Sequence, residues 1–270
     1  MPPQPGEKMP LPGVKHLIAV ASGKGSVGKS TVAANIALAL YQYGQRVGLM
    51  DADIYGPSVP MMFGLGLMDQ TRTPFPIEKF GIKLMSMGFL VDANTPVIWR
   101  GPKVAQAVSS LLFQPPWGEL DFLIVDMPPG TGDAQLTLSQ SAPLTGALIV
   151  TQPAEVSLID ARKGVRMFQE VNVPILGIVE NMSSLTLPDG SKMYPLGQGG
   201  GAKLANEIGV PFLGEIPIDA AVSQCGDAGE PIVRKQPNHP VALAYLALAQ
   251  TVVNEMLKRP TTQALPDVEL

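Results

Sequence analysis

Cysteine is almost missing from this chain of 270 residues: Cys225 is the only one. No intramolecular disulfide can form, and one chain cannot gather the thiolates that hold an iron-sulfur cluster. The expectation is a reducing, cytoplasmic interior. Histidine is nearly as scarce, with His16 and His239 alone, and no nucleophile–base pair stands out. His16 begins an apolar run and reads as a core or edge residue. His239 precedes Pro240 at a helix start and reads as a cap. Charged residues make up 16% and the net charge is −4, which gives no basic footprint for nucleic acid. No run reaches the ~18 apolar residues of a membrane span. The stretch after Pro260 has no Lys or Arg and carries Asp267 and Glu269, unlike a basic membrane-surface helix. Neither nucleic acid nor membrane is expected as a partner. The opening MPPQPGEKMPLPG has five prolines and no apolar core segment, so it does not read as a signal peptide.

What is plentiful is apolar. Hydrophobic residues are 46% of the chain, enough for a large core in one α/β unit. Residues 1–14 read as a disordered tail, 15–258 as a single domain, and 259–270 as a second tail. Strand candidates are His16–Val20, RVGLMD (46–51), IKLMSMG (82–88), FLIVDM (122–127), ALIVTQ (147–152) and PILGIVEN (174–181). Helical spacing predicts helices near 29–43, 102–113, 155–170, 200–208 and 239–257. Val32, Ile36, Leu40 and Tyr43 share a face of the first; Leu158, Ala161, Val165 and Phe168 one of the third; Val241, Tyr245, Leu248, Val252 and Met256 one of the last. The alternation predicts a doubly wound, mostly parallel sheet with helices on both faces and ligands at the carboxyl ends of the strands.

One such end carries the strongest motif. ASGKGSVGKST (21–31) matches GxxxxGK(S/T) at Gly23, Gly28, Lys29 and Ser30. Backbone N–H groups from Gly23 through Gly25, Ser26, Val27, Gly28 and Thr31 are expected to cradle phosphate at a helix N-terminus, with Lys29 on the β- and γ-phosphates and Ser30 on Mg²⁺. An apolar run precedes the motif and a helix follows it, which is the context a nucleotide loop needs. Other polar groups stand where apolar strands end: Asp51, Asp53, Asp126 and Asn181. Asp126 after FLIV suits a carboxylate that holds Mg²⁺ through water, and Asp53 can orient an attacking water. Asp133 reads as a helix-start residue. Met61, Met62, Met68, Met85 and Met87 read as core and flexible contact, and Trp99 and Trp117 as packing.

Lys24, five residues before Lys29, is not needed by the general motif. With it, GKGSVGKST resembles the deviant phosphate loop of the MinD/ParA/nitrogenase-iron-protein superfamily of dimeric ATPases. DADIYGPSVP, WRGP, DMPPGTGDAQLTL, GIVENMS, GQGGGAKLA and GEIPID resemble the Mrp/ApbC iron-sulfur cluster carriers within it, over about residues 15 to 257. The resemblance implies that Lys24 crosses a dimer interface to the partner's ATP, making Lys24, Lys29 and Asp53 the catalytic set. It implies Mg²⁺ on Ser30, with Asp53 and Asp126 reaching the ion through water. It implies that Gly130 marks a γ-phosphate-sensing loop, and that Asn181 and the backbone near Pro217 meet the adenine. The expected cofactors are ATP and Mg²⁺, and the expected partners are a second copy, in a nucleotide-linked homodimer, and a protein client.

Two departures qualify the resemblance. Those carriers follow ENMS with a CxxC pair that shares a 4Fe-4S cluster across the dimer. Here Leu187 stands at the first cysteine position and the second falls near Gly190, so cluster binding is not expected from this segment. Cys225 lies elsewhere and reads as a small structural residue. Ser26 replaces a usual glycine; if its φ is positive, it adds strain of ~1 kcal/mol or more and slows hydrolysis. The function expected is an ATP-hydrolysing dimeric switch, either a carrier with altered cluster chemistry or a cysteine-less relative acting on a protein partner.

Overall fold

The computed structural model describes residues 8–54, 56–66, 75–89 and 101–258. The 259–270 tail, Met68, Trp99 and Arg100 lie outside them. Among the described residues, nine strands form one sheet: β1 (Val14–Ala21), β2 (Val47–Asp51), β3 (Ile77–Lys79), β4 (Ile82–Ser86), β5 (Leu120–Asp126), β6 (Gly146–Thr151), β7 (Ile175–Thr186), β8 (Lys192–Met193) and β9 (Phe212–Ile218). Their order is β3-β4-β2-β5-β1-β6-β7-β8, and β9 also pairs with β7. Pairing is parallel except for β3 with β4 and β7 with β8, both at the margins. The chain leaves β1 outward to β2 and returns to place β5 beside β1. It then moves to the other side through β6 and β7. That reversal opens a crevice at the carboxyl end of β1, where the phosphate-loop motif lies.

Strand side chains alternate between two cores, as the pleat requires. Ile18 and Val20 of β1 join one core with Leu49, Leu84, Ile124 and Leu148. Over them lie α1 (Lys29–Gln42), α2 (Val59–Met62), α7 (Ala220–Asp227), α8 (Ile232–Lys235) and α9 (Pro240–Leu257). Leu17, Ala19 and Ala21 face the other core. It is closed by α3 (Gly101–Phe113), α4 (Asp133–Ser141), α5 (Glu155–Glu170) and α6 (Gly200–Ile208). α1 is buried nearly all round, from Lys29 through Leu40, as a central helix should be.

The helical faces read from spacing are buried in α5 and α9 without exception. In α1, Val32, Ile36 and Leu40 are buried, but Tyr43 ends the helix exposed, its hydroxyl donating to the Leu246 carbonyl. Met85 and Met87 are core residues, whereas Met61 is exposed. The tail boundary at residue 14 needs correction: β1 begins at Val14, Leu11 is buried, and the Met9 N–H donates to the Ser141 carbonyl at 3.0 Å. α9 reaches span length with a mean hydropathy of 1.3, more than expected. Its Val241, Tyr245, Leu248 and Val252 are spent on the core instead. His239 caps this helix, its Nδ1 accepting from the Val241 N–H. His16 lies against the Phe122 ring, and burial lowers its pKa.

Candidate nucleotide site

The phosphate loop joins β1 to α1. Gly28 is the N-cap of α1 in left-handed backbone, with φ of 81°. No side chain caps this helix, and no acidic residue stands in its first turn. Its free N–H groups are therefore left for an anion. Gly23 is required by packing: a Cβ there would stand 1.8 Å from the Asp160 carbonyl oxygen of α5. Gly28 is required twice, by its φ and by Asn181 Nδ2, 2.2 Å from where a Cβ would be. Ser26 does take positive φ, 64°, so the strain anticipated for serine at this position is present.

A cleft of about 640 Å³ opens over the loop. Gly25, Ser26 and Gly28 line it, with Lys29, Ser30 and Thr31 of α1 and Asp53 from the β2–α2 connection. The far wall is made by Met61 and Met62 of α2 and by Val222, Ser223 and Gly226 of α7. Sequence reasoning did not find these wall residues; no motif marks them, and only the packing of α2 on α7 brings them over the loop.

Beneath the cleft is a buried charge cluster. Lys29 Nζ pairs with Asp126 Oδ1 at 2.5 Å, the two side chains 6% and 0% exposed. Asp126 is pushed up from the usual carboxylate range by burial, against the pull of Lys29. Its Oδ2 is buried with no hydrogen-bond partner. Asp51 is also fully buried, and burial together with the Asp126 charge raises its pKa to about 7. It accepts hydrogen bonds from Ser86 Oγ, the Val59 N–H and the Asp53 N–H, at 3.1, 3.2 and 3.1 Å. Asp51 thus ties β2, β4 and the start of α2 together, and it holds the segment bearing Asp53. An orphan carboxylate oxygen on Asp126, with the Ser30 hydroxyl meeting the same Lys29 ammonium at 3.4 Å, is a donor set that fits a hydrated divalent cation.

Not every expected residue faces the cleft. Lys24 is exposed, and it is not on the cleft wall. Val27 is buried beneath the loop. Gly130 has positive φ, 84°, and its neighbour Pro129 reaches the cleft. Asn181 is 5% exposed and donates to the Val27 carbonyl at 2.8 Å. Pro217 lies near the end of β9. Neither Asn181 nor Pro217 lines the cleft, although Asn181 lies against the phosphate loop at Val27 and Gly28. Asp133 sits in the first turn of α4, behind Gly132 as N-cap, with no side-chain capping bond.

The segment beyond Asn181 forms a closed hairpin. Strands β7 and β8 flank a turn in which the Leu187 N–H donates to the Ser191 carbonyl and the Gly190 N–H to the Leu187 carbonyl, at 2.8 and 2.9 Å. Asp189 Oδ1 accepts from the Ser191 N–H and hydroxyl. Leu187 and Gly190 therefore serve a turn where a thiol pair would be needed. Cys225 is 1% exposed within α7, and burial raises its thiol pKa. No group of three or more His, Cys, Asp or Glu is arranged to hold a metal among the described residues. This donor set does not fit an iron-sulfur cluster. The second glycine-rich run, GQGGG, has its own anion: the Gly201 N–H at the start of α6 donates to Glu180 Oε2.

Comparison with known proteins gives the family. The ParA family described as NUBPL iron-transfer P-loop NTPase matches residues 13–253. An iron-sulfur cluster carrier protein of Aquifex aeolicus is 52% identical over 248 residues, covering 90% of this chain and 68% of its own. A nucleotide-binding protein of Archaeoglobus fulgidus, solved in complex with ADP, superposes with a TM-score of 0.69 at 38% identity, over 80% of this chain and 87% of that one. The cell-division ATPase MinD of Pyrococcus furiosus has the same fold, with a TM-score of 0.67 at 23% identity over 89% of this chain and 99% of its own.

Proposed function

This chain belongs to the NUBPL iron-transfer P-loop NTPases of the ParA family, and from that premise we propose that it is an ATP-hydrolysing dimeric switch that acts on a protein client in a reducing, cytoplasmic interior. One observation carries the proposal: the two lysines of the loop face different ways. Lys29 is buried at the floor of the cleft, whereas Lys24 is exposed and off its wall. A cation so placed can complete the charge around the phosphates of a second copy, so binding and pairing become linked.

The remaining roles follow from position. Gly23 to Thr31 offer their backbone to the triphosphate. Ser30 would hold Mg²⁺ directly, with Asp53 and Asp126 through water, and the ion would offset phosphate charge. Asp53, on the cleft wall, orients the attacking water. Lys29 leaves Asp126 for the β- and γ-phosphates, exchanging one anion for another. Asn181 and the backbone near Pro217 remain the candidates for the base. The hairpin 184–200 is then a surface for the client. Size-exclusion chromatography with light scattering tests the switch: ATP should produce a dimer that ADP does not, and Lys24→Ala should abolish it. A monomer under ATP would overturn it.

Cluster carriage is the second reading, favoured by the carriers to which the chain is similar and opposed by the missing thiols. Anaerobic reconstitution with iron and sulfide separates the two. Bound iron and sulfide with charge-transfer absorbance would establish carriage; a colourless, iron-free protein that still dimerises with ATP is the outcome expected.

A further inference from the structure

Three side chains hold the phosphate loop by its carbonyl oxygens. Ser22 Oγ donates to the Lys24 carbonyl at 2.8 Å, Gln152 Nε2 to the Ser26 carbonyl at 3.3 Å, and Asn181 Nδ2 to the Val27 carbonyl at 2.8 Å. In a trans peptide the carbonyl oxygen and the next N–H lie in one plane and point in opposite directions. Gln152 and Asn181 do not line the cleft, so fastening the Ser26 and Val27 carbonyls to them turns the N–H groups of Val27 and Gly28 the other way. Successive inward N–H groups are what an anion-binding nest requires.

Gln152, at the carboxyl end of β6, is fully engaged. Its Nε2 also donates to Met182 Sδ at 3.0 Å, and its Oε1 accepts from Ser157 Oγ of α5 at 3.3 Å. The two residues its amide joins, Ser26 and Met182, both hold left-handed backbone, with φ of 64° and 57°. That conformation is disfavoured for residues with a side chain, so it persists only where neighbours impose it. Asn181 has the complementary place under the loop, where Gly28 leaves room for its amide and nothing larger.

We propose that Gln152 and Asn181 are positioning residues of the phosphate loop, setting the Val27 and Gly28 amides before nucleotide arrives. The inference rests on the reading of this loop as an ATP site. It adds to the base contact expected of Asn181 a part toward the triphosphate, carried by its Nδ2 on the Val27 carbonyl.

Calorimetry on the full chain, with Mg-ATP and with inorganic triphosphate, tests it. Gln152→Met keeps approximate shape and Asn181→Ala needs no more room than the amide; each removes the donor. Each should weaken triphosphate about fivefold, the worth of one net hydrogen bond, and ATP by at least that factor. Ser26→Gly removes the left-handed penalty, so in that background Gln152→Met should cost less than about twofold. A loss confined to ATP, with triphosphate unaffected, would make Asn181 a base contact and overturn its positioning role. A Gln152→Met effect that is absent, or equal in both backgrounds, would overturn that of Gln152. The Ser26 cycle is read in ATP affinity alone, so it decides even where triphosphate binds the unaltered chain weakly. Should either variant fail to fold by circular dichroism, Gln152→Asn and Asn181→Ser, which keep a donor but withdraw it, take their place. An unaltered chain that binds no ATP would instead sink the reading of the site.

Discussion

Asp51→Asn should change the stability of this protein in opposite directions at acid and neutral pH. Asp51 is fully buried, and its pKa rises from 3.8 to about 7 through burial and the neighbouring Asp126 charge. The folded protein therefore keeps a proton on Asp51 that the unfolded chain releases near pH 4. Stability falls with pH wherever the folded state binds more protons. The Asp51 contribution is thus complete below pH 4 and is lost as pH rises toward 7. About three pKa units at about 1.4 kcal/mol each give a loss of about 4 kcal/mol. Asparagine cannot titrate, so it escapes that loss. It cannot reproduce all three hydrogen bonds that Asp51 accepts, which costs about 1–2 kcal/mol at every pH. Urea denaturation of both proteins from pH 4 to pH 8, without nucleotide or metal, should show the variant less stable at pH 4 and more stable at pH 8. Taking the difference between the two proteins cancels the groups that do not interact with Asp51; Asp126 does interact with it, so the difference reports the titration of that buried pair. A difference that stays constant across this range would refute the assignment of the buried proton to Asp51.

Three further outcomes follow from the same site. Lys29→Ala should abolish ATP binding in calorimetry. It should also cost about 3–5 kcal/mol in urea at neutral pH, because Asp126 is left buried and unpaired; retained micromolar affinity would contradict the loop's role. Lys24→Ala, at an exposed position, should keep ATP binding within about threefold and stability within about 0.5 kcal/mol, yet lose turnover; unchanged turnover would mean that the second lysine does not act across an interface. Gly23→Ala places a methyl 1.8 Å from the Asp160 carbonyl and should cost about 1–3 kcal/mol or more, lowering the thermal midpoint; a normal midpoint would show that α5 can step aside.

The fold was legible because its strands are buried on both faces and so read as unbroken apolar runs. FLIVD and ALIVT announce β5 and β6 in this way. The short margins were not: β3, β8 and β9 carry mixed residues, and Phe212, Glu215 and Pro217 give β9 no continuous run. The brief helices α2 and α8 are too short for a period to show. In the site, Gly28, Lys29, Ser30, Asp53 and Asp126 were readable because phosphate and cation chemistry demands their types at strand and helix ends. Gln152 and the wall residues Met61, Met62 and Val222 were not, since only their neighbours in space give them a part. Asn181 was found as a strand-end polar residue, but which atom it faces is a matter of packing.

Ser26 shows how the two kinds of residue meet. Its sequence position allowed strain to be anticipated only on condition that φ is positive, and the loop does take 64° there. A loop held in a disfavoured conformation would ordinarily relax. Here the Ser26 carbonyl is held by Gln152, which also holds Met182, itself at φ of 57°. Met182 begins the stretch where β7 shifts register against β9, between Asn181 and Leu185, and that stretch runs on into the 187–191 turn. The loop that would grip phosphate and the strand that bears the hairpin are therefore fastened at the same amide. On the proposed reading, a movement of Ser26 toward or away from a triphosphate would strain the Gln152 amide and be felt at Met182, which would give nucleotide state a route to the hairpin surface.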